Sequence, residues 1–113
     1  MTQPALDESA FAEMKEMMGD AFKEVISMCL ESLPQQSEQL ALAIAENNAD
    51  DLFNVAHRMK SSCGSIGAFG LADKAESLEQ IGRNGSVNGA GEVLPELQSS
   101  LQEVLSLLKA ELA

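Results

Sequence analysis

Apolar side chains recur every three or four residues along most of the chain, which is the spacing that lines one face of an α-helix. The first such stretch begins at Asp7, a residue that caps helix N-termini, and it ends at Gly19. A second stretch begins at another capping residue, Asp20. The apolar stripe of this second stretch contains Phe22, Val25, Ile26, Cys29, Leu30 and Leu33. The pattern therefore predicts two helices before residue 34.

Pro34 is predicted to break or kink the second helix, because proline lacks the backbone N–H that a helix interior needs. The helical pattern resumes over residues 40–48. A third helix is predicted to follow, with Asp50 or Asp51 as its N-terminal cap. The apolar stripe of this third helix contains Leu52, Val55, Ala56, Met59, Cys63 and Ile66.

The remainder of the chain predicts two helices separated by one flexible loop. A fourth, shorter helix follows Gly67 and Gly70, and one of its faces carries Leu71, Ala75, Leu78 and Ile81. Residues 82–91, GRNGSVNGAG, contain four glycines and two asparagines and are predicted to form the loop. The last helix is expected to begin near Pro95, since proline is tolerated in a first helical turn. Its apolar face is lined by Leu94, Leu97, Leu101, Leu105, Leu108 and Leu112.

These five stretches, with no strand pattern among them, predict an all-α fold. Each predicted helix has one apolar face and most connections are short, so the helices are expected to bury those faces together as an antiparallel bundle. The chain has 113 residues, which is the length of one domain, and its 45% hydrophobic content is enough for a core. We therefore predict a single domain over residues 1–113.

The formal net charge of -11 narrows the classes of partner. A surface this acidic repels nucleic acid and anionic lipid, so we expect neither as a partner. A basic patch on another protein is the more suitable counterpart. The charge also fits a simpler role, in which it only keeps a small protein in solution.

The cysteine content and the N-terminal sequence indicate the cellular compartment. Cys29 and Cys63 are too few for a metal cluster or a disulfide framework, and both fall on apolar stripes, as reduced cysteines do in the cytosol. The N-terminus lacks a basic region followed by an apolar run, and the longest apolar run, residues 40–45, is too short to span a bilayer. We expect a cytoplasmic protein. The start at Met1 with a complete bundle suggests a free-standing protein, and a domain excised from a longer chain is the open alternative.

His57 is the only histidine and the main candidate for chemistry. A single histidine excludes a two-histidine metal site and the H-E-x-x-H metalloprotease motif. The glycine-rich phosphate loop G-x-x-x-x-G-K-[ST] is also absent from the sequence. We therefore expect neither a bound metal nor a nucleotide cofactor.

At about 100° per residue, His57 lies about 140° around the helix axis from Leu52, the first residue of the third apolar stripe. This places it on the outer flank of the helix. Phe53, Lys60 and Ser61 are three or four residues away and are therefore its surface neighbours. Gly64 lies on the same flank, although glycine costs about 1 kcal/mol relative to alanine in a helix. A positive charge and small residues beside the imidazole suggest that another molecule approaches there.

The same residues also allow a purely structural interpretation. A lone surface histidine often has no special role, Gly64 would equally permit close helix packing, and Phe53 would equally turn into the core. Helical geometry alone leaves the functional and the structural interpretations open.

Residues 56–79, AHRMKSSCGSIGAFGLADKAESLE, closely resemble the histidine-containing phosphotransfer (HPt) domain of bacterial multistep phosphorelays. The pattern in that family is a histidine, a lysine three residues later, a Gly or Ser four residues later, and then small residues with Gly-Ala, Leu-Ala and Leu-Glu. The matching residues here are His57, Lys60, Ser61, Gly64, Gly67-Ala68, Leu71-Ala72 and Leu78-Glu79. The opening Leu6-Asp7, the Gly19-Asp20 junction and Pro34 are also similar to the family.

The resemblance implies a four-helix bundle with a short additional N-terminal helix. It implies that His57 is the phosphoacceptor and that Lys60 stabilises the bound phosphoryl group, while Ser61 and Gly64 keep the approach open. The implied partners are receiver domains of response regulators or hybrid sensor kinases, which bear a phosphorylatable aspartate. The chain would be a monomeric phosphocarrier without kinase activity, with no cofactor of its own, because Mg²⁺ would be held by the receiver.

Docking of a receiver requires contacts around His57. Phe53 is the first candidate and Arg58 lies next to the histidine. Weaker candidates near the first helix junction are Met14, Met17, Met18 and Phe22, for which core packing is the alternative.

Two other functional classes remain open at this point. A helical adaptor would bind its partner without phosphorylation and would not need His57. A hydrolase or transferase acting on a small molecule is the third class, although one histidine leaves few groups for such chemistry.

Overall fold

The computed structural model describes residues 4–113, and five α-helices account for 83% of it. The helices are α1 (Glu8–Met18), α2 (Ala21–Ala45), α3 (Ala49–Ser65), α4 (Phe69–Arg83) and α5 (Ala90–Leu112). No strand occurs within the described range, so the all-α prediction is confirmed. None of the helices in that range combines the length and the hydrophobicity that a membrane span requires.

Helices α2 to α5 form a four-membered bundle in which each helix packs against two others. Helix α3 packs against α2 and α4, and α5 packs against the other sides of α2 and α4. The short connections make consecutive helices antiparallel, and α1 packs against α2 as the predicted extra helix. The bundle buries the predicted apolar stripes, and its largest buried apolar side chains include Ile26, Leu33, Leu40, Leu52, Met59, Ile66, Leu71, Leu78, Leu97 and Leu108.

Helix α2 is continuous across Pro34, so the predicted break there is wrong, whereas a kink at this residue stays a prediction. Proline removes one helical donor, which leaves the carbonyl four residues earlier, that of Leu30, without its partner. Leu33 and Leu40 on either side are fully buried. The free energy gained by burying these leucines in the bundle outweighs the unfavourable effect of Pro34 on the helix.

The N-terminal caps agree with the sequence for α1 and differ for α2 and α3. The Asp7 carboxylate accepts the N–H of Ala10 at 3.0 Å, as predicted. Asp20 precedes α2 but already has helical dihedrals, and its side chain makes no capping hydrogen bond within the described chain. Helix α3 is capped by Asn48, which accepts the N–H of Asp51 at 3.0 Å. The predicted cap at position 50 or 51 is therefore wrong, because the helix begins earlier and places both aspartates in its first turn.

The glycine-rich segment between the last two helices is shorter than predicted. Helix α4 continues to Arg83 and α5 already begins at Ala90, so the connection covers residues 84–89 rather than 82–91. Gly82 and Ala90 are buried against neighbouring helices, which extends both helices into the glycine-rich sequence. Two further expectations for α5 are corrected: the helix begins five residues before Pro95, and Leu112 in its final turn is 37% exposed.

The segment before α1 caps the start of α4 through its backbone. The carbonyl of Pro4 accepts the N–H of Gly70 at 3.0 Å, and the carbonyl of Ala5 accepts the N–H of Leu71 at 3.5 Å. The residue at the cap position of α4, Ala68, has no side chain that accepts a hydrogen bond. The two carbonyls therefore satisfy donors that would otherwise be unpaired at the start of the helix.

Candidate functional site

Helix α3 presents His57 to solvent because the buried stripe of this helix lies on its other side. Leu52, Ala56 and Met59 are completely buried, whereas the His57 side chain is 56% exposed. Arg58 is exposed on the same helix. The position of His57 outside the core agrees with the prediction from helical geometry.

The imidazole ring of His57 is stacked against the half-buried ring of Phe53, one turn earlier on α3. The two ring centroids are 6.0 Å apart and the ring planes differ by 14°. An offset parallel arrangement of this kind is one of the preferred geometries for aromatic pairs. Phe53 therefore restricts the directions in which the imidazole can point.

Glu79 of α4 is a site residue to which the sequence analysis assigned no role, although Leu78-Glu79 matches the family pattern. Its carboxylate lies 3.2 Å from Nδ1 of His57, although its side chain is only 1% exposed. The helical period contained a further signal: Glu79 follows Ala75 by four residues, so it falls on the buried face of its helix. A charged residue at such a position needs partners, because an unpaired buried carboxylate is very unfavourable.

Two cations complete the surroundings of Glu79. The Lys60 ammonium lies 3.0 Å from one carboxylate oxygen and 3.2 Å from the other. Arg83, one turn after Glu79, donates from Nη2 at 3.1 Å. Together with His57, these two residues place three donors around one buried carboxylate. The side chain of Lys60 is 32% exposed, so this cation also reaches solvent.

The protonation states of the site follow from this arrangement. Burial acts to raise the pKa of the Glu79 carboxyl, but the hydrogen bonds from Lys60 and His57, together with their charges, hold it below its usual range. Glu79 is therefore ionised at neutral pH and only accepts hydrogen bonds. The contact with His57 then requires a proton on Nδ1, and in the neutral form of the ring this leaves Nε2 with a free lone pair.

The pH dependence of stability provides a test of the ionised Glu79. A carboxyl whose pKa is lower in the folded state stabilises the fold above its unfolded pKa of about 4.3, and that contribution is lost as the pH falls through the folded value. We expect a Glu79→Gln variant to lose this dependence. The difference in free energy of unfolding between wild type and variant should shrink as the pH falls from about 5 towards about 3. Urea unfolding across this range measures it, and a difference that grows with acidity would contradict the assignment.

The surface on the C-terminal side of the histidine is open. Ser61 and Gly64 are both exposed, and a Cβ added at Gly64 would have no atom within 4 Å beyond its own helix. Close helix packing, the structural explanation for this glycine, therefore does not apply. It applies instead to Gly82 of α4, where an added Cβ would lie 2.7 Å from the backbone nitrogen of Phe53.

The candidate docking residues near the first helix junction have different environments. Met17 is 86% exposed, whereas Met14 and Met18 pack partly against the core. Phe22 is only 3% exposed, and its ring packs edge-on against Phe11 at 5.2 Å between centroids. The prediction that Phe22 lies on a docking surface is therefore wrong, because helix α1 covers it. Docking roles for the three methionines stay predictions.

The two cysteines are buried and do not contribute a nucleophile at neutral pH. Burial, and to a smaller degree the neighbouring Cys29, raise the pKa of the Cys63 thiol to about 12. Burial also raises the pKa of Cys29. Within residues 4–113, the structure contains no group of three or more His, Cys, Asp or Glu side chains disposed to hold a metal ion.

Comparison with known proteins identifies the family. The Hpt domain family matches residues 24–107, which is most of the chain. The fold is similar to the crystal structure of histidine-containing phosphotransfer protein B (HptB) from Pseudomonas aeruginosa PAO1, with a TM-score of 0.90, 24% sequence identity and coverage of 97% of this chain and 96% of that chain. The comparison with curated proteins found no match. The chain therefore belongs to the Hpt domain family, whose members carry phosphoryl groups on a histidine in phosphorelays.

Proposed function

We propose that this protein relays a phosphoryl group between the aspartates of receiver domains, and that Nε2 of His57 carries it. The observation that supports this assignment most strongly is the contact between Nδ1 of His57 and the buried carboxylate of Glu79. In the neutral ring this contact favours the tautomer in which Nε2 is the unprotonated nitrogen. Because the side chain is 56% exposed, the lone pair of Nε2 is accessible to a partner protein.

The reaction requires no base to remove a proton from the nucleophile. Nε2 attacks the phosphorus of a receiver's aspartyl phosphate in line with the leaving oxygen, so that a P–N bond forms as the P–O bond breaks and the aspartate leaves as a carboxylate. The proton stays on Nδ1 and the ring becomes positively charged. Glu79 stabilises this charge through the hydrogen bond that it already accepts. Transfer to a second aspartate reverses the same steps.

We assign two interactions to the Lys60 ammonium. It pairs with the Glu79 carboxylate, and it stabilises the negative charge of the phosphoryl group on His57. Its ammonium pairs with Glu79 and its side chain is partly exposed, so the cation lies close to His57 and retains access to solvent. A pair of unit charges about 4 Å apart interacts by about 1 kcal/mol in bulk water and by about 4 kcal/mol at an effective dielectric constant of 20. Lys60 is thus expected to adjust the transfer rate and the lifetime of the phosphorylated state.

The local charge suits a receiver as the partner. The chain has a net charge of -11, yet Arg58, Lys60 and Arg83 are all close to His57 in sequence or in contact with its carboxylate partner. A positive site on an otherwise acidic protein favours an acidic surface, such as a receiver site with carboxylates that hold Mg²⁺. Phe53 is the apolar contact that we assign beside the histidine.

The size of residue 64 is predicted to control access to the phosphoryl group. Gly64 is exposed and has free space around it, so a Gly64→Gln variant should fold normally. Its longer side chain would lie about two turns from His57 on the same flank, in the path of a docking receiver. We expect transfer from a phosphorylated receiver to be strongly slowed, with an unchanged thermal melt. A variant that unfolds, or one that folds and transfers at the normal rate, would contradict the proposed role of Gly64.

We also predict that the protein does not phosphorylate itself from ATP. The sequence has no glycine-rich phosphate loop, and a lone histidine does not supply the groups that position and activate a nucleotide. Incubation with labelled ATP and Mg²⁺, without any partner, should leave the protein unlabelled. Labelling in a preparation free of kinases would show that it has an activity of its own.

The function itself is tested with receiver domains that have first been phosphorylated by a small donor such as acetyl phosphate. The proposal predicts that label moves from the aspartate to this protein and onward to a second receiver. A phosphorylation-independent adaptor would bind a receiver and take no label. Binding without transfer, across a set of receivers from the same organism, would favour the adaptor.

A further inference from the structure

One side chain touches both of the groups that contact the imidazole of His57. Arg83 donates from Nη2 to the Glu79 carboxylate at 3.1 Å, and its guanidinium carbon lies 5.5 Å from the centroid of the Phe53 ring. Glu79 in turn accepts from Nδ1 of His57, and Phe53 stacks on the same imidazole. Arg83 thus connects the two contacts that orient the ring, although it does not itself touch His57 within the described structure.

The backbone next to Arg83 explains how this arrangement is reached. A Cβ at Gly82 would lie 2.7 Å from the backbone nitrogen of Phe53 and 2.8 Å from the carbonyl oxygen of Ala49. Only glycine therefore allows α3 and α4 to approach this closely at the level of Phe53. The close approach brings the neighbouring guanidinium within reach of the aromatic ring.

We propose that Arg83 is a positioning residue, which holds Glu79 and Phe53 in the arrangement that fixes the His57 ring for phosphoryl transfer. A guanidinium is suited to this because it donates hydrogen bonds in its plane and stacks on aromatic rings through its face. Its side chain is 55% exposed, and without it the buried Glu79 carboxylate keeps Lys60 and His57 as partners. The principal effect of Arg83 is therefore on the histidine. This inference rests on the proposed function of His57.

The test compares Arg83→Gln with the control variant Lys74→Gln. Both changes remove one positive charge from α4, but Lys74 pairs with Glu96 at 3.7 Å, a residue outside the histidine site. Imidazole nitrogen chemical shifts report the tautomer of His57, and ring-current shifts report its stacking on Phe53. Arg83→Gln should give a mixture of tautomers and a reduced ring-current shift, and transfer from a phosphorylated receiver should fall by about tenfold or more. Lys74→Gln should resemble wild type in all three measurements.

An Arg83→Lys variant separates the two contacts. Lysine keeps a cation for Glu79 but lacks the flat group that stacks on Phe53. We expect it to preserve the Nδ1–H tautomer, to lose part of the ring-current shift and to transfer at an intermediate rate. Thermal melts of the variants should be close to wild type, which excludes unfolding as the cause.

Two results would overturn the role of Arg83. The first is an Arg83→Gln variant with the wild-type tautomer, ring-current shift and rate. The second is a reduced rate with unchanged shifts of His57, which would mean that Arg83 acts on the partner. Failure of the proposed function would give a different result, because the wild-type protein would then take no label from any phosphorylated receiver. The chemical shifts of His57 would still test whether Arg83 positions the ring.

Discussion

Phosphoryl transfer is expected to stop completely when His57 is replaced by glutamine. His57 is the sole histidine of the chain, and its exposed Nε2 is the nucleophile in our proposal. Glutamine retains a polar side chain but has no nitrogen lone pair able to form a stable P–N bond. The label carried by wild type should be labile in acid and stable in alkali, as expected of a phosphoramidate.

The His57→Gln variant should remain folded, because position 57 is exposed and Lys60 and Arg83 still pair with the buried Glu79 carboxylate. A thermal melt of the same preparation and a binding measurement with the receiver serve as controls. We expect both to be close to wild type. Label retained by this variant after incubation with a phosphorylated receiver would show that the acceptor is another residue.

A Gly82→Ala substitution is expected to destabilise the protein and to slow transfer together. The new Cβ would lie 2.7 Å and 2.8 Å from backbone atoms of α3, which have no freedom to rotate away, so α3 and α4 must separate. Overpacking of this kind costs about 1–3 kcal/mol, and alanine returns about 1 kcal/mol through its higher helix propensity. The net loss is therefore up to about 2 kcal/mol, and contacts with backbone atoms place it towards that upper limit. The separation also moves Glu79 away from His57.

Gly64→Ala is the matched control for this change. Both glycines are helical, but a Cβ at Gly64 meets no atom within 4 Å outside its own helix. The Gly64→Ala variant should therefore be as stable as wild type or more stable, by up to about 1 kcal/mol. Urea unfolding of the two variants measures the difference. Equal stability of both would show that α3 and α4 are not tightly apposed at Gly82.

The features that the sequence predicted are those that depend on one helix at a time. Five apolar stripes, the Asp7 cap and the end of α1 at Gly19 are all local patterns, and the structure agrees with them. The outward position of His57 also follows from the period of one helix. The apolar periodicity within each helix thus predicted most of the fold and the outward position of His57.

The features that were missed or wrong depend on how helices pack against one another. Glu79 and His57 are 22 residues apart, and their contact depends on how α3 and α4 are rotated relative to each other. The hydrophobic period of one helix carries no information about that rotation. Gly82 was assigned to a loop from composition, whereas close packing against α3 keeps it helical. Pro34 lies within a continuous helix for a similar reason, since burial of its neighbours outweighs one lost hydrogen bond.

The most direct test of the account is to determine which imidazole nitrogen of His57 carries the phosphoryl group. Phosphorus and nitrogen NMR of the protein, labelled by a phosphorylated receiver, would report both the P–N bond and the remaining N–H proton. The account predicts phosphorus on Nε2 and a proton on Nδ1, hydrogen-bonded to Glu79. Phosphorus on Nδ1 would contradict it, because that nitrogen would then be unable to donate to the carboxylate.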